Sequence, residues 1–542
     1  MRTAYYNGKI YLERESFAEA VLVENDRILQ VGTSAEILAQ ANLDERVDLG
    51  GNTVIPGLND SHMHLMSVGK ALEQLSLADC TSVENIIQKS REYLASHPIA
   101  QQKGLYGRAW NQDYFIDEQR IPNRHDLDRI STEIPVILER VCGHSLVTNT
   151  KAIEMLGLQA GSPQYRGGTF ELEADGTPNG VFTEDACKYP LALIPEATME
   201  ENRELFIRAM EYAVSKGVTS VQSNDLGSFM RYLNGFVEMI EELFGSESAP
   251  LRYHLQSCFQ TPADFRVSCE TGLYSRREQI ASDWITIGPL KLFKDGSLGA
   301  RTAMVRNPYQ DDPVNPNNLG VETTDNATMD DYCAIADEFG VQVMTHVIGD
   351  RAVGAVLDNY EKIQHDGRNP HRNTLNHCQL TTREDLERIV RMGVLVQYQP
   401  IFIDYDHRIC VSRVGEELSS TSYAFRTLQD LGGQISYGTD SPVEDCNPFP
   451  NLYCAVVREG LDGDPEGGYY PQERVDIYTA IDAYTIGSAY NEFKEDRKGR
   501  IAPGFLADMV VLDRDIFSVP AVEIKDILPL RTIVGGRTVY QA

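Results

Sequence analysis

The chain has 542 residues, 42% of them hydrophobic and 24% charged, the balance of a folded globular protein and not of a disordered or fibrous one. Its formal charge of −31 argues against nucleic acid and anionic membrane as partners, because either would need a basic surface. The opening residues lack the apolar core of a signal peptide, no run of about eighteen apolar residues follows, and the ten cysteines include no Cys-x-x-Cys pair, so a cytoplasmic protein with reduced, core-packed thiols is expected.

From Ala4 to about Pro56 the sequence reads as short strands. Residues 20–24 and 28–32 flank an Asn25-Asp26-Arg27 turn as a hairpin would, and a short helix is expected near 34–41. The far end supplies similar material, with strands expected at 509–513 and 530–534 and a turn at Gly535-Gly536 leading into 537–540. Neither end alone offers enough strands to bury a core. Residues 1–56 and 499–542 are therefore expected to join in one composite, sandwich-like β domain.

Between them, apolar β-prone runs recur at 53–64, 217–225, 251–258, 285–296, 341–347, 373–379, 393–400 and 434–442. The stretches 329–339, 351–364 and 383–391 carry apolar residues at three- and four-residue spacing, as helices lying on a sheet should. Eight strands with helical crossovers predict an α/β fold, a (β/α)₈ TIM barrel over 57–498 whose functional residues sit at the C-terminal strand ends. The span 65–216 is too long for one crossover and reads as an insertion after the first strand. It holds a hairpin at 167–172 and 175–181 flanked by helices near 145–156 and 201–216. The long loop after Gly299 could cover the barrel mouth, a static surface loop being the more common outcome for such a segment.

The first barrel strand ends in His62-Met63-His64, two imidazoles on one side of an extended chain and so a natural pair of metal ligands. The other candidate strand ends carry Lys291, His346, His377 and Asp440. Each alone would pass as a cap or a satisfied core group, but nitrogen and carboxylate ligands at matched ends of one barrel are hard to explain that way. The adjacent acids Glu184 and Asp185 are read as solvated surface and not as the carboxylate pair of a glycosidase.

With these residues in place, the chain resembles the amidohydrolase superfamily of metal-dependent hydrolases, in particular its YtcJ-like branch. The resemblance spans nearly the whole length. It rests on Pro56-Gly57-Leu58-Asn59-Asp60-Ser61-His62-Met63-His64, the stretch from Lys291 to Ala303, His346, His377, Gly438-Thr439-Asp440-Ser441-Pro442 and the stretch from Gly499 to Asp508. Arg108-Ala109-Trp110-Asn111 and the stretch from Gly143 to Asn149 look like that branch's insertion.

The resemblance implies that His62 and His64 hold one divalent ion, that His346 and His377 hold a second, that Asp440 contacts the first, and that a strand-four residue bridges both. One or two ions are expected, with zinc the expected metal. Lys291 is the favoured bridge, as a carbamate formed with carbon dioxide, because an ammonium cannot ligate a cation. Lys294 competes for that role but has the opposite strand parity, and an ion pair between Lys291 and Asp295 is the alternative.

The implied chemistry is attack by a metal-bound hydroxide on the carbonyl of a non-peptide amide, formamide or cyclic amide, with Asp440 shuttling the proton to the departing nitrogen. Trp110, His144 and Arg301 are candidate substrate contacts; the other readings are packing for Trp110, holding Asn149 or a backbone group for His144, and pairing with Asp295 for Arg301. The expected partner is a small-molecule substrate, with a homodimer as a possible assembly. An isomerase or decarboxylase on the same metal barrel, or a ligand-binding protein without catalysis, are the competing readings.

Overall fold

The eight apolar runs form eight parallel strands: β1 (Leu58–Met63), β2 (Val218–Asn224), β3 (Arg252–Ser257), β4 (Ile285–Phe293), β5 (Val343–Val347), β6 (Thr374–His377), β7 (Leu395–Tyr398) and β8 (Ile435–Tyr437). They belong to a computed structural model that describes residues 1–140, 145–165, 168–195, 197–227, 233–246, 249–312 and 315–542. The sheet runs in unbroken order from β1 to β8. β1, β2, β3, β6 and β7 are buried throughout, as strands covered on both sides must be.

Just beyond β8 the first and last strands meet. The Asp440 N–H donates to the His62 carbonyl and the His64 N–H to the Ser441 carbonyl, both at 2.8 Å. Gly438 permits this approach, since a Cβ there would stand 2.6 Å from the His62 backbone nitrogen. The architecture is a (β/α)₈ barrel with additions.

The expected crossover helices are α1 (Asn326–Glu338), α2 (Asp350–Glu361) and α3 (Arg383–Met392). In α3 a Thr382/Asp385 capping box starts the helix, Leu386, Ile389 and Met392 form its buried stripe, and Gly393 at φ 66° ends it.

Both chain ends contribute to one six-stranded sheet, in the order Arg537–Gln541, Pro529–Val534, Met509–Leu512, Thr53–Pro56, Lys9–Glu13 and Ser16–Ala18. A four-stranded sheet, containing the hairpin of Ala20–Glu24 with Arg27–Gly32, faces it. Tyr5, Val21 and Val23 from the smaller sheet share a core with Ile10, Val54, Met509, Val511 and Ile533 from the larger. This explains how two short terminal segments bury what neither buries alone.

Arg252 at the start of β3 ties this sheet region to the barrel. It makes a two-pronged ion pair with Asp508, at 2.7 and 2.8 Å, with both side chains almost fully buried. Truncating one member strands the other charge away from water. Arg252→Ala is expected to lower unfolding free energy by about 3–5 kcal/mol in urea titrations, and a loss within error of zero would contradict the role.

Residues Lys70–Leu205 form a second compact unit, somewhat shorter than the expected insertion. Its six-stranded sheet includes the expected hairpin, Gly168–Leu172 with Pro178–Glu184. The expected helix from 145 begins later. Ser145–Thr148 is a strand paired with Val136–Arg140, and Asn149 then caps the helix Thr150–Met155. Leu146 and Val147 are fully buried there, a two-sided burial that a surface helix would not give them. The helix expected at 201–216 is present as Met199–Ser215.

The loop after Gly299 is pinned. The fully buried Lys294 ammonium donates to Glu322 Oε1 (2.7 Å), the Thr324 carbonyl (2.9 Å) and Asn326 Oδ1 (2.6 Å). The nine cysteines among the described residues are all free, and eight are buried. Among those residues no helix is long and apolar enough to cross a membrane.

Candidate metal centre

At the C-terminal ends of the barrel strands His62, His64, Lys291, His346, His377 and Asp440 converge. His62 Nε2 and His64 Nε2 each lie 3.3 Å from Asp440 Oδ1. Lys291 Nζ is 3.3 Å from His62 Nε2 on the other side. The His377 ring neighbours both groups, its centroid 5.8 Å from that of His62 and 4.5 Å from that of His346.

Backbone conformation helps aim these side chains. His377 (φ 70°) and Asp440 (φ 57°) both occupy the left-handed region. That conformation costs a residue with a Cβ about 1 kcal/mol or more and persists only where the surroundings enforce it.

The imidazoles are oriented from behind. His62 Nδ1 faces Gln256 Oε1 at 2.7 Å, His64 Nδ1 faces the Asn224 carbonyl at 2.8 Å, and His377 Nδ1 faces Gln399 Oε1 at 2.7 Å. Oxygen acceptors there place the proton on Nδ1 and turn Nε2 of His62 and His64 to the centre; the His377 Nε2 faces the Asn376 side-chain amide nitrogen at 2.9 Å. His346 is turned the other way: its Nε2 bonds the Gly296 carbonyl at 3.1 Å, which frees Nδ1.

The two glutamine amides are themselves held, by the Ser61 carbonyl and by Asn376 Oδ1. Sequence reading missed Gln256, Gln399, Asn224 and Asp60. Asp60 is buried and accepts from Thr439 Oγ1 (2.5 Å) and from the His62 N–H (3.1 Å), locking β1 to the end of β8, and burial pushes its carboxyl up to about 7.

Burial and the Lys291 charge pull His62 down to about 3 and His346 to about 4; burial and the neighbouring His346 carry His377 well below the usual histidine range. These three rings are neutral at pH 7, as ligands must be; burial alone would lower His64 too, but Asp440 and the Asn224 carbonyl outweigh it and raise that ring instead. For Asp440, burial alone would raise the carboxyl, but the imidazoles of His62 and His64 outweigh it and hold it well below the usual carboxylate range. Burial lowers Lys291 to about 8, which brings a neutral amine within reach near physiological pH.

A divalent ion fits this donor set. Asp440 Oδ1 is buried without a hydrogen-bond partner. Its 3.3 Å spacings to the two Nε2 atoms match the about 3.3 Å between neighbouring ligands of a tetrahedral ion with bonds of about 2.0–2.1 Å. His62, His64 and Asp440 would hold one ion; a second at His346 and His377 would have to displace the Asn376 amide from His377 Nε2.

Of the two lysines, Lys291 points into this space and Lys294 points away into its three oxygen partners. Lys291 has no carboxylate within 4 Å among the described residues. Asp295, the alternative partner, accepts instead from the N–H groups of Met304, Ile348 and Gly349.

The candidate substrate contacts fare differently. Trp110 is fully buried in the core of the Lys70–Leu205 unit, its indole N–H donating to the Leu138 carbonyl at 2.8 Å, so it is a packing residue with no face for a ligand. Arg301 pairs with Asp311 through two 2.9 Å bonds, not with Asp295. His144 lies outside the described residues. Glu184 and Asp185 are both exposed.

Gln256→Leu removes the acceptor that orients His62, and Gln399→Leu does the same for His377. Each is expected to weaken metal affinity about 10–100-fold in chelator competition, and wild-type affinity in both would reject the positioning role.

The family model described as amidohydrolase family matches residues 45–540. The putative amidohydrolase YtcJ of Bacillus subtilis (strain 168) is 30% identical over 545 residues, covering 100% of both chains. The N-substituted formamide deformylase of Arthrobacter pascens is 26% identical, covering 97% of this chain and 96% of its own. Among solved structures, an uncharacterized metal-dependent hydrolase from Pyrococcus furiosus is similar with a TM-score of 0.74 and 29% identity, over 96% of this chain and 100% of that one. The barrel, the donor set at its C-terminal mouth and a match over nearly the full length lead to one conclusion: the chain belongs to the amidohydrolase family.

Proposed function

We propose that this enzyme hydrolyses a carbon–nitrogen bond of a small non-peptide amide, formamide or cyclic amide. Family membership supports a carbon–nitrogen hydrolase in general, and the full-length similarity to a formamide deformylase supports the narrower class. The observation that carries the reading is the convergence of two imidazole Nε2 atoms on the buried Asp440 Oδ1, each 3.3 Å away. Zinc or a similar divalent ion would be held by His62, His64 and Asp440; His346 and His377 would serve a second once the Asn376 amide leaves His377, and Lys291, as a carbamate, would supply anionic oxygens.

When bound, a divalent ion there polarises the scissile carbonyl and acidifies water. The chain's own contribution is proton transfer and placement. Asp440, kept ionised, accepts the proton of the attacking water and returns it to the departing nitrogen, which leaves as an amine. Gln256, Gln399 and the Asn224 carbonyl keep the imidazoles in one tautomer throughout.

The test is a screen of purified enzyme across N-acyl, formamide, cyclic amide and ester substrates in ¹⁸O-labelled water, with Asp440→Asn as control. Label in the product carboxyl is expected; turnover without label would move the assignment to an isomerase or decarboxylase.

A further inference from the structure

At the opposite end of the barrel from this centre, a second trio of side chains repeats its geometry. Asp337 stands on the last turn of α1, His365 follows α2, and His371 precedes β6. His365 Nε2 and His371 Nε2 both converge on Asp337 Oδ1, at 2.7 and 3.1 Å. The two rings sit 5.7 Å apart at 83°, against 5.3 Å and 73° for His62 and His64 around Asp440. All three potential donor atoms lie within 4.8 Å of one another. We propose that Asp337, His365 and His371 form a second, surface metal site that takes one borderline transition-metal ion such as zinc.

The loop carrying the histidines is built to hold them. His365 and Arg368 exchange backbone hydrogen bonds of 3.1 and 3.0 Å across Asp366 (φ 53°) and Gly367 (φ 69°), a two-residue turn with both central residues left-handed. Asn369 then clamps the return, donating to the Asn373 and Gly393 carbonyls and accepting from the Asn373 N–H. Arg372, adjacent to His371, is fixed by Glu495 at 2.6 and 3.0 Å and lies over the Tyr490 ring at 3.6 Å. A neighbouring cation, Arg277, is turned to the Phe339 and Gly340 carbonyls.

Chemistry selects the ion. Two imidazole nitrogens and one carboxylate suit zinc, nickel or cobalt, and not calcium or magnesium, which prefer all-oxygen shells. A tetrahedral ion needs neighbouring ligands about 3.3 Å apart, so the 2.7 Å contact of His365 must widen by a few tenths of an ångström. The His365 side chain is 56% exposed and has room to do so. The same exposure leaves remaining coordination positions to water. An ion here would link the end of α1 to the segment between α2 and β6, joining two successive strand–helix units, so its effect is on stability and not on turnover.

The full chain, stripped with a chelator, is titrated with zinc chloride to a few-fold excess, and bound zinc per chain is measured alongside the melting midpoint. Wild type is expected to bind one equivalent more than His365→Ala or His371→Ala, and to gain a zinc-dependent rise in midpoint that the variants lack in part. Equal stoichiometry in wild type and the variants overturns the site. His365→Ala changes an exposed side chain and decides the matter alone if His371→Ala does not fold.

Discussion

Asp440→Asn is expected to lower kcat by about 10²–10⁴-fold with a smaller change in KM, measured on whichever substrate the screen identifies. Asparagine keeps the shape of the side chain and tolerates the left-handed backbone at φ 57°, so the fold should survive. The amide cannot hold the proton that a carboxylate takes from water and passes to nitrogen. It also removes the negative charge that His62 and His64 flank at 3.3 Å, so metal content must be measured in the same samples. A variant that keeps its metal and loses turnover isolates the proton-transfer role. Near-wild-type kcat in a fully loaded variant would falsify it.

Much of the barrel was legible because strands buried on both faces read as unbroken apolar runs, and eight such runs at crossover spacing leave few other folds. The candidate ligand residues stand out for a related reason: a histidine or aspartate ending such a run falls at the C-terminal face of the barrel. The supporting residues carried a signal too, though a fainter one. Gln222 and Asn224 on β2, His254 and Gln256 on β3, and Gln397 with Gln399 beyond it on β7 are polar at alternate positions of buried strands. A polar side chain there must find a partner; which partner it finds depends on neighbouring strands far away in sequence.

The errors have physical causes as well. Leu146 and Val147 fit a helical stripe as well as a strand, and only pairing with Val136–Arg140 decides between them. Trp110 admits both substrate contact and packing from its motif, and the indole N–H decides for packing by finding a carbonyl inside its own core. Arg301 meets Asp311 instead of Asp295 because Asp295 is already saturated by three backbone N–H groups.

The two lysines of β4 and its following loop provide the sharpest contrast. Lys291→Ala removes the group that stands beside His62 and can supply a bridging anion; the expected result is loss of about one bound ion and a fall in turnover of about 10²-fold or more, with little change in melting midpoint. Lys294→Ala should do the reverse. It deletes a fully buried ammonium and its bonds to Glu322, Thr324 and Asn326, each charge-assisted bond being worth about 1.5–3 kcal/mol. The strap from 294 to 326 then loses its anchor while the metal ligands stay in place. Glu322 is 40% exposed and can rehydrate, which limits the loss. Calorimetry and metal analysis on the same two preparations separate the roles. If Lys291→Ala keeps its full metal complement and turnover while Lys294→Ala loses both, the bridge has been given to the wrong lysine; the 3.3 Å approach of Lys291 to His62 argues for the opposite result.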